Sequence, residues 1–377
     1  MSLIILIVLV IFLSYAVLLL FYRDGWIRTP ETLIDKQFEP QSIISIIIPA
    51  RNEEKHIGHL LKDLLSQYYP SSKMEIIVVD DHSTDQTASI VQSFQGVKYI
   101  PLADHTQGEI LNSYKKKAIT IGIQASSGQL IVTTDADCRM GPFWLHSIAE
   151  YIEKNHCYFL AGPVAFQNRG HWFDTFQSLD FTTMQGITAA VIYTRSATMC
   201  NGANLAYTRS LFDAVGGFSG IDAIASGDDM LLMHKAEQKF PKSIRYLKCK
   251  EAIVTTEPVS TVKDFFAQRI RWASKSSKFE DRRLKWILGL VFIFNLVFPI
   301  LLIGSIFWPA CLFVFFSLLI AKTIVELLLL YPVSQFFNKR NELPIFFILQ
   351  LLHIPYIICS ALMGQMGSYQ WKGRQVK

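Results

Sequence analysis

Two aspartates one residue apart, Asp135 and Asp137, follow the apolar run Ile131-Val132-Thr133-Thr134. In an extended chain residues i and i+2 point the same way, so both carboxylates can converge on one divalent cation. Hard oxygen ligands of this kind suit Mg2+ or Mn2+. The same residues also serve as a solvated acidic turn closing a strand. Two further acidic pairs share the chain with them, Asp80-Asp81 and Asp228-Asp229.

The elements that must position these groups can be read from the hydrophobic pattern. Ser45-Ile46-Ile47-Ile48-Pro49 and Glu75-Ile76-Ile77-Val78-Val79 are β-branched runs suited to strands buried on both faces. Between them a helix is expected with Ile57, Leu60, Leu61, Leu64 and Leu65 on one face. Ser83-Thr84-Asp85-Gln86 is placed to cap a second helix, with Ile90 and Val91 inward. A short strand at 97–100, a helix at 115–126 and a strand at 129–134 continue the alternation. Strand and helix in alternation predict an α/β fold with a mostly parallel, Rossmann-like sheet. Ligands in such sheets bind beyond the carboxyl ends of the strands, where Pro49-Ala50-Arg51, Asp80-Asp81 and Asp135-Asp137 all fall.

Beyond Asp137 the pattern predicts a helix at 144–152, a strand at 158–162 and an aromatic-rich helix at 171–184. Asn201-Gly202-Ala203-Asn204 and Val215-Gly216-Gly217-Phe218 read as tight loops. Ser226-Gly227-Asp228-Asp229 precedes the apolar Met230–Met233, which fits acidic residues at a helix N-terminus. An amphipathic helix is expected over 262–274, carrying Gln268, Arg271 and Trp272.

Both ends of the chain are strongly apolar. Residues 3–22 carry no charge and are long enough to span a bilayer. They lack the basic start and small-residue cleavage site of a signal peptide. Arg23 and Arg28 place the following segment on the cytoplasmic side. Further spans are expected at 287–307, 310–331 and 344–363, with Lys322 and Glu326 at i, i+4 able to neutralise one another. The expected division is a 1–24 anchor, a cytoplasmic 42–283 catalytic domain, 284–365 membrane helices and a basic 366–377 tail. Three full crossings conflict with a basic tail that should stay inside, and Pro299, Pro344 and Pro355 are places where a span can break. The expected location is the inner (plasma) membrane. The six cysteines form no C-x-x-C pair and no paired spacing, which fits reduced thiols. A net charge of +5 gives no case for nucleic acid and fits a surface beside anionic lipid.

The motifs together resemble the family 2 glycosyltransferases, the membrane-bound inverting enzymes that include cellulose, chitin and hyaluronan synthases. The matching segments are Ile48-Pro49-Ala50-Arg51-Asn52-Glu53, Val79-Asp80-Asp81-His82-Ser83-Thr84-Asp85, Thr134-Asp135-Ala136-Asp137, Gly227-Asp228-Asp229 and Gln268-x-x-Arg271-Trp272. The resemblance implies a GT-A fold, a nucleotide-sugar donor (a UDP-sugar), a lipid-linked or glycan acceptor and a divalent cation. Pro49, Ala50, Arg51 and Glu53 then line a slot for the base, and Asp81 matches the carboxylate that reads it. A helix-capping turn is the alternative for one of Asp80 and Asp81. Lys115 matches a diphosphate-binding lysine, although Tyr114 stands where the family has glycine; a solvated basic face over Lys115–Lys117 is its other reading. In the matching motif the first aspartate sits toward the sugar and the second binds metal, which assigns Asp135 to donor and cation and Asp137 to the cation. Asp229 matches the general base, with Asp228 adjacent. Arg271 is assigned to the diphosphate, Gln268 and Trp272 to the acceptor, and Asn204 to the acceptor side. A polyprenyl-phosphate glycosyltransferase and a non-catalytic nucleotide-sugar-binding scaffold are the competing readings.

Overall fold

The computed structural model describes residues 2–106, 111–196, 199–224, 227–274, 282–364, 369–371 and 374–376. Ser226, and Lys372, Gly373 and Lys377 of the basic tail, lie outside the described residues. In order, the elements are α1 (Ser2–Arg28), β1 (Ile44–Ala50), α2 (Ile57–Leu65), β2 (Met74–Asp80), α3 (Thr87–Gln92), β3 (Val97–Pro101), α4 (Tyr114–Gln124) and β4 (Leu130–Thr133). There follow β5 (Arg139–Met140), α5 (Trp144–Asn155), β6 (Phe159–Ala161), β7 (Val164–Phe166), α6 (Trp172–Tyr193), β8 (Leu205–Thr208), α7 (Arg209–Ala214), α8 (Met230–Lys239), β9 (Ile244–Tyr246) and β10 (Val254–Thr256). The remainder comprises α9 (Val262–Ser274), α10 (Arg282–Gly304), α11 (Ala310–Phe336), α12 (Phe346–Gly364), β11 (Tyr369–Trp371) and β12 (Arg374–Val376).

The chain divides into two compact units. One comprises Thr29–Gln167, Val191–Glu257 and Val376–Lys377; the other comprises Met1–Arg28, Asn168–Ala190 and Pro258–Gln375. The division draws α9 and most of α6 into the unit of the hydrophobic helices, where the sequence places both in the catalytic domain.

The first unit holds a seven-stranded sheet in the order β3-β2-β1-β4-β8-β6-β9. Strands β3, β2, β1 and β4 run parallel, and β8 is antiparallel to both β4 and β6. Strand β1 is buried almost throughout, as its β-branched run demands. Its neighbours β2 and β4 come from opposite sides in the winding order, so the crevice beyond the ends of β1 and β4 is a topological switch point. A second sheet, β5-β10-β7, lies after the acidic turn. Helix α2 buries Ile57, Leu60, Leu61 and Leu64. Leu65, expected on that face, is 41% exposed; the helix ends there, and the last residue escapes the apolar stripe.

In the other unit, four helices are long and apolar enough to cross a membrane: Ile5–Arg28, Arg282–Gly304, Ala310–Phe336 and Arg340–Gly364. Pro299 and Pro355 lie inside continuous helices, and Pro344 lies in a 3-10 turn leading into α12. None of these prolines breaks a span. Lys322 donates to Glu326 at 2.6 Å and to Gln350 at 2.5 Å, Tyr15 donates to Glu326 at 2.5 Å, and Gln350 closes the network on the second Glu326 oxygen. The pair expected within one helix is therefore a four-residue clasp joining α1, α11 and α12.

Candidate active site

Strand β4 stops at Thr133, and Asp135-Ala136-Asp137 forms a turn closed by the Cys138 amide donating to the Asp135 carbonyl at 3.2 Å. The expectation of an extended i, i+2 pair is corrected here: the aspartates leave a turn, and their partners differ. Asp135 accepts from Lys115 Nζ at 2.7 Å. Asp137 accepts from the Thr256 hydroxyl at 3.2 Å and lines a cleft of about 390 Å³ with Lys55, His56, His59, Arg139, Gln167 and Glu257. Burial, reinforced by the charges of Asp137 and then Asp135, pushes the Cys138 thiol well above its usual range.

Lys115 joins this turn to the second acidic pair. Its ammonium lies 2.7 Å from Asp135 and 3.1 Å from Asp228. Burial opposes its charge, but Asp135 and then Asp228 outweigh this and hold its pKa above the ordinary lysine value. The solvated-face reading of Lys115–Lys117 is corrected as well. Lys116 is 1% exposed, and its ammonium donates to the Ile221 and Ile224 carbonyls at 2.9 and 2.5 Å.

Asp229 caps α8, its Oδ1 accepting from the Met230 amide at 2.7 Å, while Oδ2 accepts from the Gly202 amide at 3.1 Å. Helix capping still leaves each carboxylate oxygen a second lone pair. Gly202 is there for room: a Cβ would meet Asp228 Oδ2 at 3.1 Å and Lys115 Nζ at 3.3 Å. Asn204, expected on the acceptor side, is 1% exposed. It donates to the Pro163 and Ala252 carbonyls, both at 2.8 Å, and accepts from the Trp144 indole at 3.0 Å. Its side chain ties the two sheets together, a structural place in the core.

At the ends of β1 and β2 the chain makes a double loop. Asn52 and His82 take positive φ, 52° and 56°. Arg51 donates to the Asp81 and His82 carbonyls at 2.7 and 3.2 Å, and the Glu53 amide donates to Thr87 Oγ1 at 2.8 Å. Asp80 is structural, accepting from the Ser83 amide at 3.0 Å and from Tyr99 at 2.8 Å. Burial and that bond push the Tyr99 phenol up to about 12. Asp81 carries its carboxylate 3.0 Å from His82 Nδ1 and 3.9 Å from Arg51. Asp85, one residue before the N-cap Gln86 of α3, accepts from the Thr87 amide at 3.0 Å; Gln86 itself makes no side-chain cap bond. Pro49 and Ala50 close β1, and the Ala50 carbonyl accepts from the Asp81 amide at 2.7 Å. Tyr114, where the resemblance has glycine, stands edge-on to His82 with ring centres 5.8 Å apart.

Gln268, Arg271 and Trp272 lie on α9, in the unit of hydrophobic helices. Trp272 presents its ring to Arg269, whose guanidinium lies 4.2 Å from the ring centre. Arg269 is 2% exposed and pairs with Asp180 at 2.8 Å. Nothing in the sequence sets Arg269 apart, because a charged residue beside a motif residue gives no sign that it will be buried.

Among the described residues no group of three or more His, Cys, Asp or Glu side chains forms a metal cage. Asp137 and Glu257 nonetheless face one cleft. Mg2+ and Mn2+ in phosphate chemistry take one or two protein carboxylates and complete their shell with water and phosphate oxygens. The donor set fits such an ion. Glu257 was missed in the sequence, since Thr256-Glu257-Pro258 has no motif around it.

A parallel-rich sheet with an acidic turn at its switch point and a small second sheet is the GT-A class of fold. Residues 45–216 match the model of Glycosyl transferase family 2. Mannosyltransferase PcManGT of Pyrobaculum calidifontis, solved with GDP-Man and Mn2+, has the same fold: its TM-score is 0.56 at 18% identity, covering 96% of this chain and 97% of that one. The poly(ribitol-phosphate) beta-N-acetylglucosaminyltransferase TarS of Staphylococcus aureus is 30% identical over 112 residues, 30% of this chain and 19% of TarS. A probable glycosyltransferase of Sulfolobus acidocaldarius is 25% identical over 259 residues, 65% of this chain and 52% of that protein. The chain thus spans between a fifth and about half the length of these two curated relatives.

Proposed function

We propose that the protein transfers a sugar, with inversion, from a nucleotide-diphosphate sugar to a lipid-linked or glycan acceptor at a membrane. The observation that carries this reading is Lys115, which gathers Asp135 and Asp228 around one ammonium beside the Asp229–Gly202 contact. Donor-side and acceptor-side carboxylates belong within reach of one another in a single in-line displacement.

In this reading the β1 and β2 end loops hold the base. Arg51 braces the loop that presents Asp81, and Pro49, Ala50 and Glu53 form the slot. Asp81 accepts an N–H of the base, which favours uracil. Lys115 faces the diphosphate, whose charge grows as the glycosidic bond breaks. Asp137, with Glu257 and Asp135 nearby in sequence or cleft, would hold Mg2+ or Mn2+. Such an ion, when bound, supplies Lewis-acid stabilisation of the leaving diphosphate. Asp229 takes the proton of the acceptor hydroxyl on the opposite face. Its two backbone amides fix the carboxylate in place, so no reorientation is needed at the moment of transfer. Gln268, Arg271 and Trp272 remain assigned to the acceptor and diphosphate through their match to the family motif. The four apolar helices support an inner-membrane, multi-pass protein, with the catalytic unit cytoplasmic on the charge rule.

The test is a panel of radiolabelled nucleotide sugars given to membranes containing the protein, with products separated into lipid-soluble and polymeric fractions. The panel includes GDP-mannose as well as UDP-sugars, because PcManGT was captured with the former. Transfer from one donor into either fraction, lost in Asp229→Asn, supports the reading; nucleotide binding with no transfer from any donor favours a scaffold.

A further inference from the structure

Two consecutive residues at the start of α4 reach two different parts of the site. Side chains one apart on a helix diverge by about 100°. Lys115 points to Asp135 and Asp228, while Lys116 runs inward to the carbonyls of Ile221 and Ile224. Those carbonyls belong to the segment that leads to Asp228 and Asp229. A third lysine, Lys235 of α8, holds the start of the same segment through the Gly217 and Ser219 carbonyls at 2.6 and 2.7 Å. The 217–224 segment, which precedes the acidic pair in sequence, is therefore held by bonds separate from the Lys115 ion pairs.

Lys115 is one cation shared by two carboxylates from different motifs. Its contacts are also exchangeable: the side chains of Lys115, Asp135 and Asp228 are 22%, 37% and 12% exposed. The two carboxylates come from separate segments, whereas a diphosphate brings comparable charge and more acceptor oxygens on one linked group, so it can compete with them for the ammonium. Gly202 keeps open the space beside both Lys115 Nζ and Asp228 Oδ2 that a movement of this ammonium requires.

We propose, on the footing of the glycosyltransferase reading, that Lys115 is an exchangeable counter-ion: it neutralises Asp135 and Asp228 until a nucleoside diphosphate takes it, while Lys116 keeps its hold on the Ile221 and Ile224 carbonyls. Asp228 is then a positioning residue for Lys115, and the base role stays with Asp229. Arrival of the donor then changes the charge around Asp229.

The experiment is a double-mutant cycle of Lys115→Gln and Asp228→Asn in the full-length protein in detergent micelles. Thermal midpoints are measured without nucleotide and with saturating UDP or GDP, each with Mn2+. Without nucleotide, the double variant should lose no more than the worse single variant. With nucleotide, the two losses should add, because the ion pair between them has gone. Lys115→Arg, which keeps the charge, should retain the coupling and separates this effect from misfolding. Lys116→Met should abolish the nucleotide-free coupling while the wild-type nucleotide affinity changes little. Equal non-additivity in both conditions overturns the inference and leaves the functional reading standing. Failure of the wild-type protein to bind either nucleotide overturns both.

Discussion

Lys115 and Lys322 each hold a carboxylate closely, Asp135 at 2.7 Å and Glu326 at 2.6 Å, yet their surroundings are opposites. The Lys322 side chain is fully buried and that of Glu326 8% exposed, with Tyr15 and Gln350 completing a closed set of bonds. Lys115 serves two carboxylates at once, and all three side chains keep a share of solvent. A matched and sealed pair fixes helices; a shared and open one is available to a ligand. Charge balance and exposure, more than distance, separate a clasp from a site.

The contrast can be broken at either end. The largest effect is expected from Asp229→Asn, which should cut sugar transfer by roughly 10²–10⁴ while nucleotide affinity stays near wild type. Turnover close to wild type in that variant removes Asp229 as the base. Next comes Lys322→Met, which strands Glu326 and should cost about 3–5 kcal/mol or prevent accumulation of folded protein. Adding Glu326→Leu should restore most of that loss, as judged by thermal unfolding in detergent; no recovery would mean the clasp is needed as an ion pair. Asp137→Ala should weaken Mn2+-dependent binding of UDP at least about tenfold, read by calorimetry with and without the metal. Affinity unaltered by the substitution would place the cation elsewhere.

The smallest expected effect lies at the far end of the same strands. Burial alone would raise the Glu75 pKa, but bonds from the Ser45 hydroxyl and the Ser127 and Gly128 amides outweigh it and lower the value. A carboxylate depressed in the folded state stabilises above its unfolded pKa, and that contribution disappears as pH falls through the folded value. Glu75→Gln should therefore cost about 1 kcal/mol at neutral pH, with the difference from wild type closing in acid. A difference independent of pH would assign the loss to packing.

How much of this was legible in the sequence follows from element length and from what motifs encode. Strands β1, β2 and β4 announce themselves by continuous β-branched runs. Beyond β4 the strands shorten to three or four residues: β6 still falls within the strand expected at 158–162, but the reversed β8 and the short β9 are too brief for period-two alternation to stand out. The acidic motifs were visible as residue types, but their geometry was not, because the strand ends two residues before Asp135. Lys116 illustrates the deeper limit. Three successive lysines suggest a solvated face, and only the return of the 221–224 segment supplies the carbonyls that let one of them be buried.

Asn204 bears on any attempt to redirect the proposed transfer toward a different acceptor. It sits in a polar loop beside Gly202, where a designer working from sequence would begin a library. Yet it is the tie between two sheets, and a Cβ on the neighbouring Gly162 would collide with its amide. Random substitution at 162 or 204 would select against folding before it sampled specificity. His56, His59 and Gln167 lie away from that tie, but they line the cleft of Asp137 and Glu257, so a library there would vary cation and donor binding rather than the acceptor.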